Sequence, residues 1–167
     1  MIQLRIFQEA DIDLLYTWFQ ETHVKEYWHH KNGFSYDLIA LKYKKRLREG
    51  TISMFIFQYF GIDIGFIQCY PASNIAEYGQ KGKAFGIDLF IGENTYLYRG
   101  IGSIVISKVI NSIILENPDV KYICIDPEVR NQAAIRAYSK VGFVHVKTDM
   151  CPDQKVSTYY MIYTVNK

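Results

Sequence analysis

The sequence predicts an α/β fold in which a mixed β-sheet is covered by helices. Three observations lead there. Strand-like and helix-like stretches follow one another in the order β, α, α, β, β, β, α, β, α, β, β. Two strands, Ser53 to Phe60 and Ile64 to Tyr70, are separated only by Gly61-Ile62-Asp63, the spacing of a tight antiparallel hairpin. Later strands alternate with helices, and such crossovers join parallel neighbours. At 167 residues the chain is long enough to bury a good core as one domain over residues 1–167.

Each element has its own signal. Ile2, Leu4 and Ile6 alternate with Gln3 and Arg5, which predicts a first strand. Asp11 and Asp13 put acidic residues at a helix start, with Leu14, Leu15, Trp18 and Phe19 following on one face. Val24 to His30 is a short aromatic segment, helical or loop. Ser35 can cap a second helix through Leu47, with Leu38, Leu41 and Leu47 facing inward, and Gly50 stops it. Pro71 ends the hairpin, and residues 72–83 read as a polar loop whose functional candidates are Glu77 and Tyr78. Ala84 to Ile91 is an apolar run interrupted only by Asp88. Ile101, Ile104, Val105, Val109, Ile110 and Ile113 recur at helical spacing as far as Asn117-Pro118-Asp119. Tyr122 to Ile125 is a nearly continuous apolar strand, as in a buried parallel position, and Asp126-Pro127 closes it. Asn131 can cap a helix from Gln132 to Val141, ended by Gly142. Phe143 to Lys147 and Thr158 to Val165 read as two final strands.

Composition removes several classes of function. The formal net charge is only +2, and the basic residues are scattered apart from Lys42-Tyr43-Lys44-Lys45-Arg46, which reads as one solvated helix face. Nucleic acid is therefore not an expected partner. No apolar run is long enough to span a bilayer and no signal peptide is recognised. Cys69, Cys124 and Cys151 match neither a zinc site nor a redox pair, and the first two sit in strand-like runs as small core residues. The expectation is a cytoplasmic protein without membrane contact. His23, His29, His30 and His145 form no metal-ligand pattern, and His29-His30 reads as surface, so no metal is expected.

The chain is organised around Ala84 to Ser103, AFGIDLFIGENTYLYRGIGS, a strand, a loop, a glycine-rich turn and a helix start. Amides at such a start have no partner inside the helix, and the helix dipole favours negative charge there. The turn is thus a candidate phosphate site made of main chain, with glycine letting the phosphate approach. A bare strand-to-helix turn would read the same way. No Gly-Lys-Ser/Thr follows, so it is not a Walker loop, and the third glycine of a dinucleotide fingerprint is missing.

The stretch from Asn131 to Phe143, NQAAIRAYSKVGF, resembles the fourth-helix signature of the GCN5-related N-acetyltransferases, at a fitting distance after Arg99-Gly100-Ile101-Gly102. Within that superfamily, Gly86 to Glu93, Arg99 to Gly102, Ile125-Asp126-Pro127 and Ala134 to Tyr138 resemble the aminoglycoside 6′-N-acetyltransferases. Glu26-Tyr27-Trp28 and Gly65 to Tyr70 resemble that subgroup too. The superfamily turn usually begins with Arg or Gln three residues before its first glycine. Here that position is Leu97, which leaves the phosphates to backbone amides, with Arg99 as a helper.

The resemblance implies a mostly antiparallel sheet with a splayed central parallel pair and about four flanking helices, and acetyl-CoA as donor. The pyrophosphate would sit on the amides of Tyr98, Arg99, Gly100, Ile101, Gly102 and Ser103. The pantetheine arm would follow Leu89, Phe90 and Ile91 and reach Asn131, Ala134 and Tyr138. An amide near Leu89 or Phe90 can polarise the thioester carbonyl. The acceptor arrives as ammonium and must lose a proton before direct attack. Asp88 and Asp126 are the candidate bases, one taking the proton and the other anchoring a second cation; a structural strand Asp and a turn Asp would look alike. Tyr138 is the candidate acid for the leaving thiolate, against plain core packing, and Asn131 can equally be only a helix cap. Trp28, Tyr70, Glu77 and Tyr78, with the two aspartates, are the candidate wall for an aminoglycoside. Two other readings remain open: the same enzyme on a polyamine, hydroxylamine or protein amine, and a non-catalytic CoA-binding module. Either fits a small-molecule partner and a monomer or homodimer.

Overall fold

The computed structural model describes residues 1–30, 33–151 and 155–166. Seven strands form one mixed sheet: β1 (Ile2–Ile6), β2 (Ser53–Tyr59), β3 (Ile62–Pro71), β4 (Ala84–Ile91), β5 (Tyr122–Ile125), β6 (Val144–Met150) and β7 (Ser157–Thr164), in the order β1-β2-β3-β4-β5-β7-β6. The helices are α1 (Ile12–Gln20), α2 (Thr22–Lys25), α3 (Tyr36–Glu49), α4 (Ile101–Glu116) and α5 (Gln132–Val141). The expected order of elements holds, with α2 as an added single turn in the aromatic segment and a 3-10 turn at Ile75–Tyr78 in the loop expected to be irregular. Contacts divide the chain into two compact units, Met1–Cys69 with Leu89–Arg99, and Tyr70–Asp88 with Gly100–Lys167.

In the first unit, α1 and α3 bury Leu15, Trp18, Phe19, Ile39 and Tyr43 against Ile56 and Phe66, and the rings of Trp28 and Phe90 pack on that cluster. The inward face of α3 differs from the expectation. Leu38 and Leu41 are 39% and 64% exposed, whereas Ile39 and Tyr43 are buried. The helix carries two competing apolar stripes, and the one holding an aromatic ring wins because a ring removes more surface from water. The basic run is accordingly not one solvated face. Arg46 lies 5.2 Å from the Tyr43 ring centre and donates to Gln68 at 2.7 Å. His30 is half-buried among Phe19, Phe34 and Tyr43, not on the surface. Burial, then Lys42 and Arg46, hold its pKa down at about 3. Ser35 makes no side-chain cap to α3.

The hairpin turn sits one residue earlier than expected. Phe60 and Gly61 take left-handed φ of 48° and 82°, the two-residue turn that matches strand twist. Asp63 is thereby freed to bind Arg5, which forks between Asp63 at 2.6 Å and Asp11 at 2.8 Å. Trp18 donates to Glu93 at 2.9 Å, and a Cβ at Gly92 would collide with its indole.

In the second unit β4 and β5 run parallel, as expected, and their register covers Ala84↔Tyr122, Phe85↔Ile123 and Gly86↔Cys124. β4 then continues to Ile91 while β5 ends at Ile125, so the described ladder stops just before Asp88 and Asp126. β7 closes the other side of β5 antiparallel. α5 begins and ends where the sequence predicts, and Gly142 takes the left-handed φ of 112° that ends it. Cys69 and Cys124 are buried.

Candidate active site

The second unit gathers the acidic and phenolic side chains. Asp88 follows Gly86 by two residues, so both lie on one face of β4. Tyr70 reaches across that face and its hydroxyl donates to Asp88 Oδ1 at 3.2 Å. The path requires a glycine, since a Cβ at Gly86 would stand 2.5 Å from the Tyr70 ring. Sequence reading missed this use of Gly86, which only the cross-strand register reveals.

Asp126 lies one residue past the end of β5 and is solvent-accessible. Crowding by surrounding protein, then the negative charge of Asp88 and of Glu77, push its pKa up to about 7, against a backbone hydrogen bond that lowers it. The same two aspartates hold the Tyr138 hydroxyl in its protonated form, after burial, which dominates. Asp88, Asp126, Glu77, Tyr70 and Tyr138 are thus one electrostatic cluster.

Other expected wall residues are placed differently. Tyr78 is 2% exposed and packs edge-on against Tyr160, with ring centres 5.3 Å apart. It belongs to a buried core cluster and offers no wall surface. Trp28, in the first unit, is half-buried with its ring 5.0 Å from that of Phe90. The Phe90 side chain packs on the aromatic cluster. His23 Nε2 lies 2.9 Å from the Ile91 carbonyl oxygen, a role with no sequence signal. Asn131 Oδ1 accepts from the Ala134 amide at 3.2 Å, so the helix-cap reading holds and its side-chain NH2 stays available. Glu128, which sequence reading passed over, is buried and accepts from Arg130 Nε at 2.5 Å; its carbonyl receives the Asn131 amide. That pair holds the approach to α5.

Gly100, with φ of 74°, is the residue before α4, and Ser103 Oγ donates to the Ala137 carbonyl at 3.3 Å. Gly100 is needed for its left-handed backbone. Gly102 is not: its φ is ordinary for a helix, and a Cβ there would meet nothing within 4 Å. Neither the backbone nor the packing of the chain asks for glycine at 102. Open space over the free amides of a helix start is what a phosphate group requires. The residues present fit the diphosphate of CoA.

The family model described as "Acetyltransferase (GNAT) domain" matches residues 8–149. Aminoglycoside N(6′)-acetyltransferase type 1 of Klebsiella pneumoniae is 26% identical over 169 residues, covering 98% of this chain and 83% of that protein. Lysine N-acyltransferase MbtK of Mycobacterium tuberculosis is 27% identical over 146 residues, 83% of this chain and 67% of that one. The crystal structure of aminoglycoside acetyltransferase AAC(6′)-Ib in complex with coenzyme A and kanamycin matches with a TM-score of 0.79 and 26% identity, covering 98% of this chain and 95% of that chain. Fold, helix-start cradle and family match agree: the chain belongs to the GNAT family and is an acetyl-CoA-dependent N-acetyltransferase.

Proposed function

We propose that the acceptor is the 6′-amino group of an aminoglycoside, acetylated by direct attack of the amine. The observation that carries this reading is the clustering of Asp88, Asp126 and Glu77, close enough for Asp88 and Glu77 to raise the Asp126 pKa, a concentration of negative charge suited to a ligand with several ammonium groups. The likeness to aminoglycoside 6′-N-acetyltransferases over nearly the whole chain supports it.

Acetyl-CoA supplies the activated acetyl thioester. The protein supplies the rest. Asp126, titrating near 7, takes the proton from the bound ammonium, since a base is most effective with its pKa near working pH. Asp88, fixed by the Tyr70 hydroxyl, anchors a neighbouring cation. Tyr138 keeps its proton throughout this range and offers a hydrogen bond to a departing thiolate. Full transfer from a phenol near 10 or above to a thiolate near 8.5 is uphill by about 2 kcal/mol or more, so Tyr138 acts as a hydrogen-bond donor and not as a complete acid. The Leu89 and Phe90 amides and the amides from Tyr98 to Ser103 orient the donor. We keep Trp28, Tyr70 and Glu77 as acceptor contacts.

A free-thiol release assay with kanamycin and tobramycin tests the reading. Turnover that needs a 6′-amino group supports it, and silence with every 6′-amino compound removes it. The similarity to MbtK favours a second reading, acylation of a lysine-like amine. A panel of free lysine, spermidine and the aminoglycosides separates the two.

A further inference from the structure

Tyr98 is the least explained residue of the turn. It is 87% exposed, yet its backbone is held at a left-handed φ of 60°. Such a φ strains the backbone of a bulky residue. At Phe60 the same conformation is demanded by the hairpin. At Tyr98, which leads from the 3-10 turn Asn94–Tyr96 into α4, no strand pairing demands it. The fold would be served better by glycine, and it neither buries the ring nor bonds it. Arg99 follows, exposed, its guanidinium 5.3 Å from the centre of the Tyr96 ring, and Tyr96 is itself braced by Tyr59 at 5.6 Å. Among the described residues no carboxylate pairs with Arg99. A guanidinium stacked by its face keeps its edge N–H donors for a ligand, and a fork of that kind suits phosphate. The chain therefore presents a bare aromatic face and an unpaired cation immediately before the amides that suit a diphosphate.

We propose that these two side chains recognise the adenosine end of the donor: the Tyr98 ring stacks on the adenine and Arg99 binds the ribose 3′-phosphate. This rests on the donor being CoA and not on the identity of the acceptor. The test is equilibrium binding by calorimetry, with no acceptor present, of CoA, dephospho-CoA (no 3′-phosphate) and 4′-phosphopantetheine (no adenosine). Wild type should bind CoA roughly tenfold tighter than dephospho-CoA, and Arg99→Ala should erase that difference. Tyr98→Gly should weaken both nucleotides roughly tenfold and leave 4′-phosphopantetheine unchanged, while Tyr98→Phe binds like wild type. Because glycine suits the backbone there, the Tyr98→Gly protein should melt no lower than wild type, so weaker binding cannot be laid to misfolding. Equal loss of CoA and dephospho-CoA affinity in Arg99→Ala overturns the phosphate assignment. Unchanged CoA affinity in Tyr98→Gly, or equal loss for all three ligands, overturns the stacking. Both failures would leave the aminoglycoside reading standing.

Discussion

In the proposed mechanism Asp126 is where residue chemistry bears most directly on activity. Its raised pKa predicts that kcat/KM climbs with pH and levels off above about 7, the value set by crowding and by Asp88. Asp126→Asn should lower turnover by about 100-fold or more and remove that limb, read from pH–rate profiles. Asp88→Asn should shift the limb to lower pH, because one of the charges that raises Asp126 is gone. The same shift has a stability consequence. Between its ordinary 3.8 and about 7 the folded protein holds a proton that the unfolded chain has released. Stability from this group is thus complete below about pH 4, declines as pH rises toward 7 and is flat beyond. Asp126→Asn should therefore melt higher than wild type at pH 8, the opposite of its effect on activity. Gly102→Ala makes a comparable pair of predictions. Alanine favours the helix by up to about 1 kcal/mol, so thermal stability should rise. Its methyl group would occupy the open space above the amides, so CoA affinity should fall roughly tenfold.

Among the elements, β1 and β3 are linked by the Arg5 fork to Asp11 and Asp63. Arg5→Leu leaves two part-buried carboxylates facing each other and should cost about 2–3 kcal/mol in denaturant titrations. Arg5 and Gln58 hold Asp63 below its ordinary 3.8, so the difference from wild type should persist at neutral pH and shrink only as pH falls below about 4. What could be read in the sequence also differs by element. α5 was legible to the residue, because a capping Asn and a terminal Gly bracket one clean stripe. α3 was not, because Leu38 and Leu41 form a stripe as regular as that of Ile39 and Tyr43, and periodicity cannot rank two stripes. Asp88 and Asp126 stood out in the sequence, the one as the only charge inside an apolar run and the other as the charge that follows one. Their coupling to Tyr138 and the Gly86 gap that admits Tyr70 depend on cross-strand register, which no local pattern encodes.

For the molecule as a whole, a formal charge of +2 means that no long-range field draws in a polycation. In the proposed function, selection of the acceptor belongs to short-range carboxylates. Raising salt from about 0.05 to 0.5 M shortens the screening length below the reach of distant charges but leaves direct contacts to those carboxylates. kcat/KM should accordingly fall by only a few-fold across that range, measured in a stopped-flow thiol assay.

The two buried cysteines have a practical use. Cys69 belongs to one compact unit and Cys124 to the other, while Cys151 is partly accessible. A disulfide reagent added to resting protein should modify Cys151 in a quick burst and the other two only when their surroundings breathe. While covered, the Cys124 thiol is pushed up to about 12 by burial and then by Asp126, which keeps it in the unreactive protonated form until its surroundings open. Single-cysteine versions would then act as a pair of built-in clocks, timing the opening of each half without any added label.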